Sequence, residues 1–267
     1  MYQIEATNGI VELSVILSGY FMCLQTNRPD LSLIIGCYNE EEILEDNFRR
    51  LVNYLDCLKY SYELIFIEDK SVDNTKHIIE RLLKEFPSKR IKTIFHEKNR
   101  GRGATIRDGL KVSEGTVAGF IDIDLEVAEW YILPCMKPIL DGEYDIVIGS
   151  RVDKLQFSGY ILFRYILSNI YRQLVRRVAK TKLKDTETGY KFFNRQKIMP
   201  LVEKTINDHW FWDTEIMLLA EAADLKIREI PCLFLRNQQK TSTVRVFRDS
   251  LLYLKAIVSY KLNMNKS

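Results

Sequence analysis

The sequence has few of the residues that build disulfide frameworks or zinc sites. Its 267 residues include five cysteines and three histidines. The cysteines are scattered and form no C-x-x-C pair; they stand at positions 23, 37, 57, 135 and 232. This usage is typical of a reducing compartment and excludes a disulfide scaffold and a cysteine zinc site. The histidines stand in separate contexts, which argues against a His-based metal cluster.

Long apolar runs, internal repeats and low-complexity tracts are also missing. The one membrane-like stretch, Gly9 to Leu24, is shorter than the roughly 20 residues of a spanning helix, and Glu12 interrupts it. It also lacks the basic leader and cleavage site of a signal peptide. The sequence therefore predicts no transmembrane protein, and residues 1–30 are interpreted as an N-terminal apolar element, either buried or interfacial, of uncertain role.

The net charge of +3 conceals a strong asymmetry along the chain. Residues 151–184 carry a local charge of +8 and residues 236–267 carry +6, which leaves −11 for the remainder. Basic surfaces attract the phosphates of membranes, nucleic acids or phosphorylated substrates. The basic C-terminal half therefore indicates a partner that carries phosphate.

Apolar runs alternate with helical patterns from Leu31 onward. Strands are predicted at 31–35, 64–67, 117–123, 146–148 and 227–235, with a further strand at the start of IKTIFHEK (91–98), and each is a near-continuous apolar run. Strands of this kind, separated by helices, predict an α/β domain with a mostly parallel sheet flanked by helices. Ligands bind such sheets at the carboxyl ends of the strands, where the polar segments of this sequence fall.

Two aspartates follow one of the apolar runs, in the stretch AGFIDIDLE. In an extended chain, Asp122 and Asp124 would share one face while Ile121 and Ile123 face the other way. Neighbouring carboxylates repel each other unless a positive charge lies between them. The pair therefore indicates either a divalent metal site or an acidic turn.

Seven motifs place the sequence beside a known family. They are YNEEE (38–42), IEDKSVDNT (67–75), NRGRGATIRDGL (99–110), DIDL (122–125), IVIGSR (146–151), DTETGYKFF (185–193) and FWDTEI (211–216). Their order resembles family 2 glycosyltransferases of the GT-A fold. More narrowly, it resembles the polyprenyl-phosphate glycosyltransferases of the dolichyl-phosphate glucosyltransferase and mannose synthase types. The resemblance covers about residues 31–245 and implies a Rossmann-like GT-A fold with basic C-terminal helices.

The resemblance implies a site for a nucleotide sugar. The residues implied to bind it are Tyr38, Glu40, Asp69, Arg102, Gly103 and Asp122. Asp69 would accept a hydrogen bond from the base, and the Gly-rich turn would let the backbone approach the ligand. The alternative for Asp69 is a helix N-terminal acid. Two residues depart from the family pattern, because Gly36 stands where proline is usual and Lys70 where glycine is usual.

The resemblance also implies that DID is the D-x-D motif of the family. Its carboxylates and the nucleotide diphosphate would share Mg²⁺ or Mn²⁺, hard cations that prefer oxygen ligands. Asp124 is implied as the direct metal ligand. Asp122 would contact the sugar or ribose, or reach the metal through water. Both aspartates are candidate catalytic residues.

The basic half is implied to bind the acceptor. Five residues match, or lie near, positions that grip a lipid phosphate in the family: Arg151, Arg164, Ser168, Arg236 and Lys240. Arg151, Arg164 and Ser168 are also candidate catalytic residues, because two anionic substrates need cationic positioning. The glycine that often accompanies the segment containing Arg236 and Lys240 is absent. Trp210 and Trp212 are each candidates for stacking on a sugar, lining a prenyl path or packing in the core.

These features predict an inverting, metal-dependent enzyme that transfers one hexose to a polyprenyl phosphate. The catalytic domain is placed at 31–243, followed by an amphipathic helix at 244–267 that lies on an anionic membrane or packs on the domain. A UDP-sugar is favoured as donor over GDP-mannose. The expected location is cytoplasmic, on the cytoplasmic face of a membrane, with a membrane protein or a second copy as a further partner and no nucleic acid.

Three alternatives stay open. A family 2 glycosyltransferase could instead act on a glycan, protein or small molecule. A sugar-phosphate nucleotidyltransferase also uses an α/β fold and a metal, but it would normally carry a Gly-rich loop in the first strand–helix connection, where this chain has GCYNEEE. A non-catalytic nucleotide-sugar-binding module would bind nucleotide without turnover.

Overall fold

The structure, a computed structural model, describes residues 28–153, 173, 176–178, 181–235, 253, 255–257 and 259–260. Several predictions fall outside this part of the chain. They concern the apolar stretch 9–24, the acceptor candidates Arg164, Ser168, Arg236 and Lys240, and most of the helix predicted at 244–267. Within the described residues, no helix combines the length and apolar character needed to cross a bilayer.

A seven-stranded sheet forms the centre of the described domain. The strands are β1 (Leu31–Cys37), β2 (Tyr62–Glu68), β3 (Ile91–Phe95), β4 (Val117–Phe120), β5 (Ile146–Asp153), β6 (Lys191–Asn194) and β7 (Ile227–Phe234). Their order across the sheet is β3-β2-β1-β4-β6-β5-β7, and only β6 runs antiparallel to its neighbours. The predicted α/β class with a mostly parallel sheet is confirmed. The predicted strand at 117–123 is too long, since the chain leaves the sheet after Phe120.

Helices cover both faces of this sheet. They are α1 (Leu44–Cys57), α2 (Thr75–Glu85), α3 (Arg102–Val112), α4 (Ile132–Leu140), α5 (Arg195–Val202) and α6 (Trp212–Ala222), with a 3₁₀ turn at Glu129–Tyr131. In α1, Leu44, Phe48, Leu51 and Leu55 are buried at helical spacing. The apolar stripes of α1, α2 and α4 pack on one face of the sheet, and those of α3, α5 and α6 on the other. Because both faces are covered, ligands have access at the strand ends.

The loops after β1 and β2 are joined by hydrogen bonds. The Asn39 N–H donates to Ser71 Oγ (3.0 Å), and the Val72 N–H donates to Asn39 Oδ1 (2.9 Å). Asn39 has φ 58° and Lys70 has φ 61°, both in the left-handed region. Asparagine tolerates this region, whereas lysine does so only at a cost. The two loops therefore form one unit that keeps Lys70 in a conformation suited to glycine.

The few described residues near the C-terminus pack on this domain. Tyr253 and Ile257 are buried with Phe211 and Leu218 in a small apolar cluster. The Tyr253 hydroxyl also hydrogen-bonds to Thr214 Oγ1, which in turn donates to Thr186 Oγ1 (2.8 Å). At these positions apolar side chains contact the domain, and the helix predicted at 244–267 remains a prediction.

We predict that Lys70→Gly raises the free energy of unfolding by about 1 kcal/mol, because glycine adopts positive φ without steric penalty. Urea denaturation at pH 7 measures the change. The matched control is Lys84→Gly, at an exposed position of helical backbone in α2, which should lower stability by a similar amount. Loss of stability in both variants would contradict strain at Lys70.

Candidate active site

The carboxyl ends of β1, β2 and β4 bring the predicted nucleotide residues to one edge of the sheet. Tyr38 and Glu40 follow β1, Asp69 follows β2, and Asp122 follows β4, while Arg102 opens helix α3. Because β1 lies between β2 and β4, these loops are neighbours. Tyr38 keeps 36% of its surface exposed, and the Glu40 N–H donates to Thr75 Oγ1 (2.8 Å).

Asp69 holds the Gly-rich turn in place. Its buried carboxylate accepts the N–H groups of Arg100 (2.8 Å) and Gly101 (2.9 Å). The Nδ1 atom of buried His96 lies 2.7 Å from Asp69 Oδ1. Asp69 therefore lies at the N-terminus of α3 and accepts backbone N–H groups there. Its contact with a nucleobase remains a prediction.

The glycines of this turn admit a protein loop. A Cβ atom at Gly101 would lie 2.6 Å from the Asp208 carbonyl oxygen, and Gly101 has φ 88°. A Cβ atom at Gly103 would lie 2.5 Å from the Cβ of Trp212. Both glycines thus let residues 207–212 approach the backbone of α3. The role of Gly103 in ligand binding remains a prediction.

Arg102 joins the D-x-D motif to helix α6. Its Nη1 lies 2.6 Å from Asp122 Oδ1, and its Nε lies 2.9 Å from Asp213 Oδ2. Burial alone would lower the pKa of the Arg102 guanidinium, but the two carboxylates outweigh burial and raise it. Arg102 is therefore a permanent positive charge, and it fixes Asp122 in one position.

Lys191 extends this ion pair into the core. Its side chain is fully buried; Nζ lies 3.2 Å from Asp213 Oδ1 and also donates to the Thr188 carbonyl. Burial lowers the pKa of Lys191, with Arg102 acting in the same direction, while the carboxylates oppose them. Four side chains thus form a row of alternating charge, called here the charge row: Lys191, Asp213, Arg102 and Asp122.

Lys191 and Asp213 are not among the site residues predicted from the sequence. They belong to the motifs DTETGYKFF and FWDTEI, in which a charged residue lies within or directly after a group of aromatic residues. A charge in such a run is the available signal, because buried charged side chains need a partner. The two tryptophans of this segment have different environments. Trp212 is buried against Phe120 and donates from Nε1 to Thr205 Oγ1 (3.0 Å), whereas 41% of Trp210 is exposed.

The D-x-D motif lies in a turn. The Leu125 N–H donates to the Asp122 carbonyl (3.2 Å), and Leu125 has φ 50°. Ile121 and Ile123 are buried, whereas Asp122 and Asp124 are partly exposed. The predicted alternation of buried and exposed residues is therefore confirmed, although a turn produces it instead of an extended strand.

The backbone at Gly189 packs directly against the side chain of Asp122. A Cβ atom there would overlap Asp122 Oδ2 and lie 2.7 Å from Arg102 Nη2. One carboxylate oxygen of Asp122 thus contacts Arg102, and the other faces Gly189. The side chain of Asp124 makes a different contact, because its Oδ1 accepts the Glu126 N–H (3.2 Å).

The donor set near Asp124 suits a metal that is shared with a substrate. The described residues contain no cluster of three or more histidine, cysteine or acidic side chains arranged for a metal. Mg²⁺ is commonly held by one or two carboxylates together with substrate phosphates. Asp122 is paired with Arg102, and metal binding by Asp124 and Asp122 remains a prediction.

Arg151, the one described acceptor candidate, is part of an ion pair. Its Nε and Nη2 lie 2.7 Å and 2.8 Å from the two carboxylate oxygens of buried Asp185. Burial would raise the pKa of Asp185, but its attraction to Arg151 and the hydrogen bonds between them hold that pKa below its usual value. Arg151 is therefore rigidly positioned, and its contact with an acceptor phosphate remains a prediction.

Comparison with known proteins now identifies the class. The family model described as Glycosyl transferase family 2 matches residues 32–201, so the chain belongs to this family. It is 28% identical over 204 residues to the glycosyltransferase AglD of Haloferax volcanii, and 29% identical over 212 residues to the dolichyl-phosphate beta-glucosyltransferase of Dictyostelium discoideum. These alignments cover 76% and 75% of this chain, which spans 32% and 64% of those proteins.

Solved structures of low identity show the same fold. Glucosyl-3-phosphoglycerate synthase from Mycobacterium tuberculosis, in complex with UDP, aligns with a TM-score of 0.64 and 15% identity; the match covers 91% of this chain and 83% of that one. The mannosyltransferase PcManGT of Pyrobaculum calidifontis, in complex with GDP-Man and Mn²⁺, aligns with a TM-score of 0.55 and 15% identity. That match covers 80% of this chain and 59% of the mannosyltransferase. The chain belongs to glycosyl transferase family 2 and has the GT-A fold.

We predict that Gly189→Ala lowers the rate of glycosyl transfer at least tenfold, because the new methyl group displaces Asp122 from Arg102. Initial rates, with urea denaturation as the folding check, measure the effect. The control is Gly149→Ala in β5, where the nearest atom would be 3.1 Å from the new Cβ. Equal rates in the two variants would show that the position of Asp122 is unimportant.

We predict that Arg151→Gln lowers the free energy of unfolding by an amount that depends on pH. Since the folded pKa of Asp185 is lowered, the pair stabilises the protein fully above the unfolded pKa of about 3.9, and this stability is lost as pH falls through the folded value. The variant should lose about 3 kcal/mol at pH 7 and progressively less below pH 4. Urea denaturation from pH 7 to pH 3 measures this difference.

The control for that experiment is the same substitution in an Asp185→Asn background. There the cost of Arg151→Gln should be smaller and independent of pH over the same range, because no carboxylate titrates. If the free energies of unfolding of wild type and Arg151→Gln changed in parallel from pH 5 to pH 3, the pairing of Arg151 with Asp185 would be contradicted.

Proposed function

We propose that this chain is an inverting, metal-dependent transferase that moves a single hexose from a nucleotide sugar to a polyprenyl phosphate. A UDP-sugar is the favoured donor and GDP-mannose the alternative. The observation that carries the proposal is Arg102, which fixes Asp122 beside Asp124 at the edge of the sheet where the nucleotide loops meet. The likeness to dolichyl-phosphate beta-glucosyltransferases supports the acceptor class.

The reaction is a displacement at C1 of the hexose. A phosphate oxygen of the acceptor forms a bond to C1 on the face opposite the nucleotide, and the bond from C1 to the diphosphate oxygen breaks with its electron pair. When bound, Mg²⁺ or Mn²⁺ offsets the charge of the departing nucleoside diphosphate. The chain contributes the fixed positions of Asp122 and Asp124, Tyr38 and Asp69 for the nucleotide, and Arg102 for orientation.

The acceptor does not require a general base. The second pKa of a phosphate monoester is near 6, so at neutral pH the acceptor oxygen already carries negative charge. Asp213, the most buried carboxylate near the D-x-D motif, is paired with Arg102 and Lys191. These pairs suit a positioning role for Asp213, which agrees with an acceptor that arrives deprotonated.

A phosphorylated small molecule is the second candidate acceptor. The Mycobacterium tuberculosis enzyme has been solved with phosphoglyceric acid, and its fold covers 90% of this chain. Both acceptor classes present a phosphate or carboxylate to a basic surface, and Arg151, held by Asp185, could serve either. A transfer assay with a prenyl phosphate, the unphosphorylated prenol and 3-phosphoglycerate separates the classes by product.

The lipid acceptor would place the chain on the cytoplasmic face of an anionic membrane, as a peripheral protein. The sequence supports this with local charges of +8 in residues 151–184 and +6 in residues 236–267. Co-sedimentation with vesicles of neutral and of anionic lipid tests it, since electrostatic binding should increase with anionic lipid and weaken with salt.

We predict that one of UDP, GDP, CDP and dTDP raises the melting temperature only when Mn²⁺ is present. At a concentration one hundred times its dissociation constant, a nucleotide stabilises the fold by about 2.7 kcal/mol. Asp124→Asn should abolish this shift, because it removes the carboxylate that shares the metal with the diphosphate.

The control for the nucleotide panel is Asp141→Asn, the same change at an exposed acid paired with Lys137 on the surface. It should leave the shift unchanged. Stabilisation that is independent of both Mn²⁺ and Asp124 would contradict a shared metal, and no shift with any nucleotide would contradict the donor site.

A further inference from the structure

We propose that Trp210 is a specificity-determining residue that stacks on the hexose of the donor. This inference rests on the proposed function and assigns the sugar subsite within it. The Arg102 guanidinium carbon lies 5.5 Å from the centroid of the Trp210 ring and 5.8 Å from that of Phe120. The guanidinium thus contacts two aromatic rings, and Trp210 is the partly exposed one, with 41% of its surface accessible.

The composition around Trp210 suits a sugar. Arg102 connects the indole to Asp122, whose side chain remains 44% exposed. A hexose combines hydroxyl groups, which pair with carboxylates and guanidinium groups, with a face of C–H groups that packs on an aromatic ring. Asp122, Arg102 and Trp210 offer both kinds of surface side by side, next to the motif at which the diphosphate is proposed to bind.

The loop that carries Trp210 is fixed before any ligand arrives. Buried Glu215 accepts the N–H groups of Ile206 (3.1 Å) and Asn207 (3.0 Å). The Asp208 carbonyl accepts the Ala104 N–H (3.1 Å), which ties the loop to α3. These bonds fix the backbone just before Trp210, and Arg102 contacts the ring itself, so a ligand that stacks there orders little additional chain.

The charged surroundings favour a sugar over a prenyl chain as the partner of Trp210. A prenyl chain is apolar and gains most from aliphatic surfaces. Exposed aliphatic side chains are grouped at one edge of the sheet, where β5 and β7 with its end carry Val152, Leu233 and Leu235, whereas the loop of Trp210 carries a single one, Ile206. Trp210 contacts a guanidinium within a row of four charges.

Isothermal titration in the presence of Mn²⁺ tests the assignment with two probes, UDP and UDP-glucose. Stacking acts on the hexose alone, so Trp210→Ala should raise the dissociation constant of UDP-glucose about tenfold, while that of UDP changes less than twofold. Trp210→Phe keeps a ring at this position and should restore most of the affinity for UDP-glucose. Thermal melting of each variant checks that the fold is retained.

The matched control is Tyr144→Ala. Tyr144 is partly exposed and also lies beside an arginine, Arg228, at 5.3 Å from the ring centroid, but it precedes β5, at the edge of the sheet opposite Asp122. Its loss should leave both dissociation constants unchanged. Trp130→Ala is the competing variant, because Trp130 lines a cavity together with Asp124. A selective loss of UDP-glucose affinity in Trp130→Ala instead of Trp210→Ala would overturn the assignment, because it would place the hexose beside α1.

The remaining outcomes are also decisive. Equal UDP-glucose affinity in wild type and Trp210→Ala, with UDP binding intact, would overturn the hexose assignment and leave the proposed donor site in place. Titration with a prenyl phosphate is the complementary measurement: weaker binding of it by Trp210→Ala, with unchanged affinity for UDP-glucose, would overturn the hexose assignment and place Trp210 at the acceptor site. If wild type binds another nucleotide and neither probe, the same variants are titrated with that nucleotide and its hexose conjugate, and equal affinities of wild type and Trp210→Ala for the conjugate would overturn the assignment. No binding of any nucleotide would overturn both proposals.

Discussion

The guanidinium of Arg102 is the interaction on which the candidate site depends. It connects three parts of the chain that are distant in sequence: the start of α3, the turn after β4 that carries Asp122, and the start of α6 that carries Asp213. Because Asp213 also pairs with Lys191 of β6, the antiparallel strand in the middle of the sheet belongs to the same network. Fold and site are therefore stabilised by the same contacts.

The charge row is neutral when its four members are ionised, and this limits what it does chemically. Lys191 and Arg102 are matched by Asp213 and Asp122, so the row offers position and little net attraction for a diphosphate. Compensation of the donor's charge must come from another source. A divalent cation at Asp124, close to the row but outside it, supplies that charge in the proposed mechanism.

Local sequence predicted the strands and the buried alternation of Ile121 and Ile123, because apolar periodicity is a short-range property. Strand β6 was missed because it has only four residues and begins with Lys191, which is buried only with a distant partner. For the same reason Asp213 was not assigned a role. Trp210 and Trp212 are two residues apart, and only the packed structure shows which one enters the core. Family resemblance supplied the D-x-D assignment, which periodicity alone leaves open.

The hydroxyl contacts of Thr214 have a mechanical meaning. Thr214 follows Asp213 in the chain and Thr186 follows Asp185, and the Tyr253 hydroxyl completes the series from the C-terminal helix. If Tyr253 moved away, Thr214 would lose one hydroxyl contact and keep its bond to Thr186. The carboxylates that hold Arg102 and Arg151 are thus each one residue from a chain of hydroxyl groups that ends at Tyr253, so a shift at Tyr253 would be transmitted to the neighbours of both ion pairs.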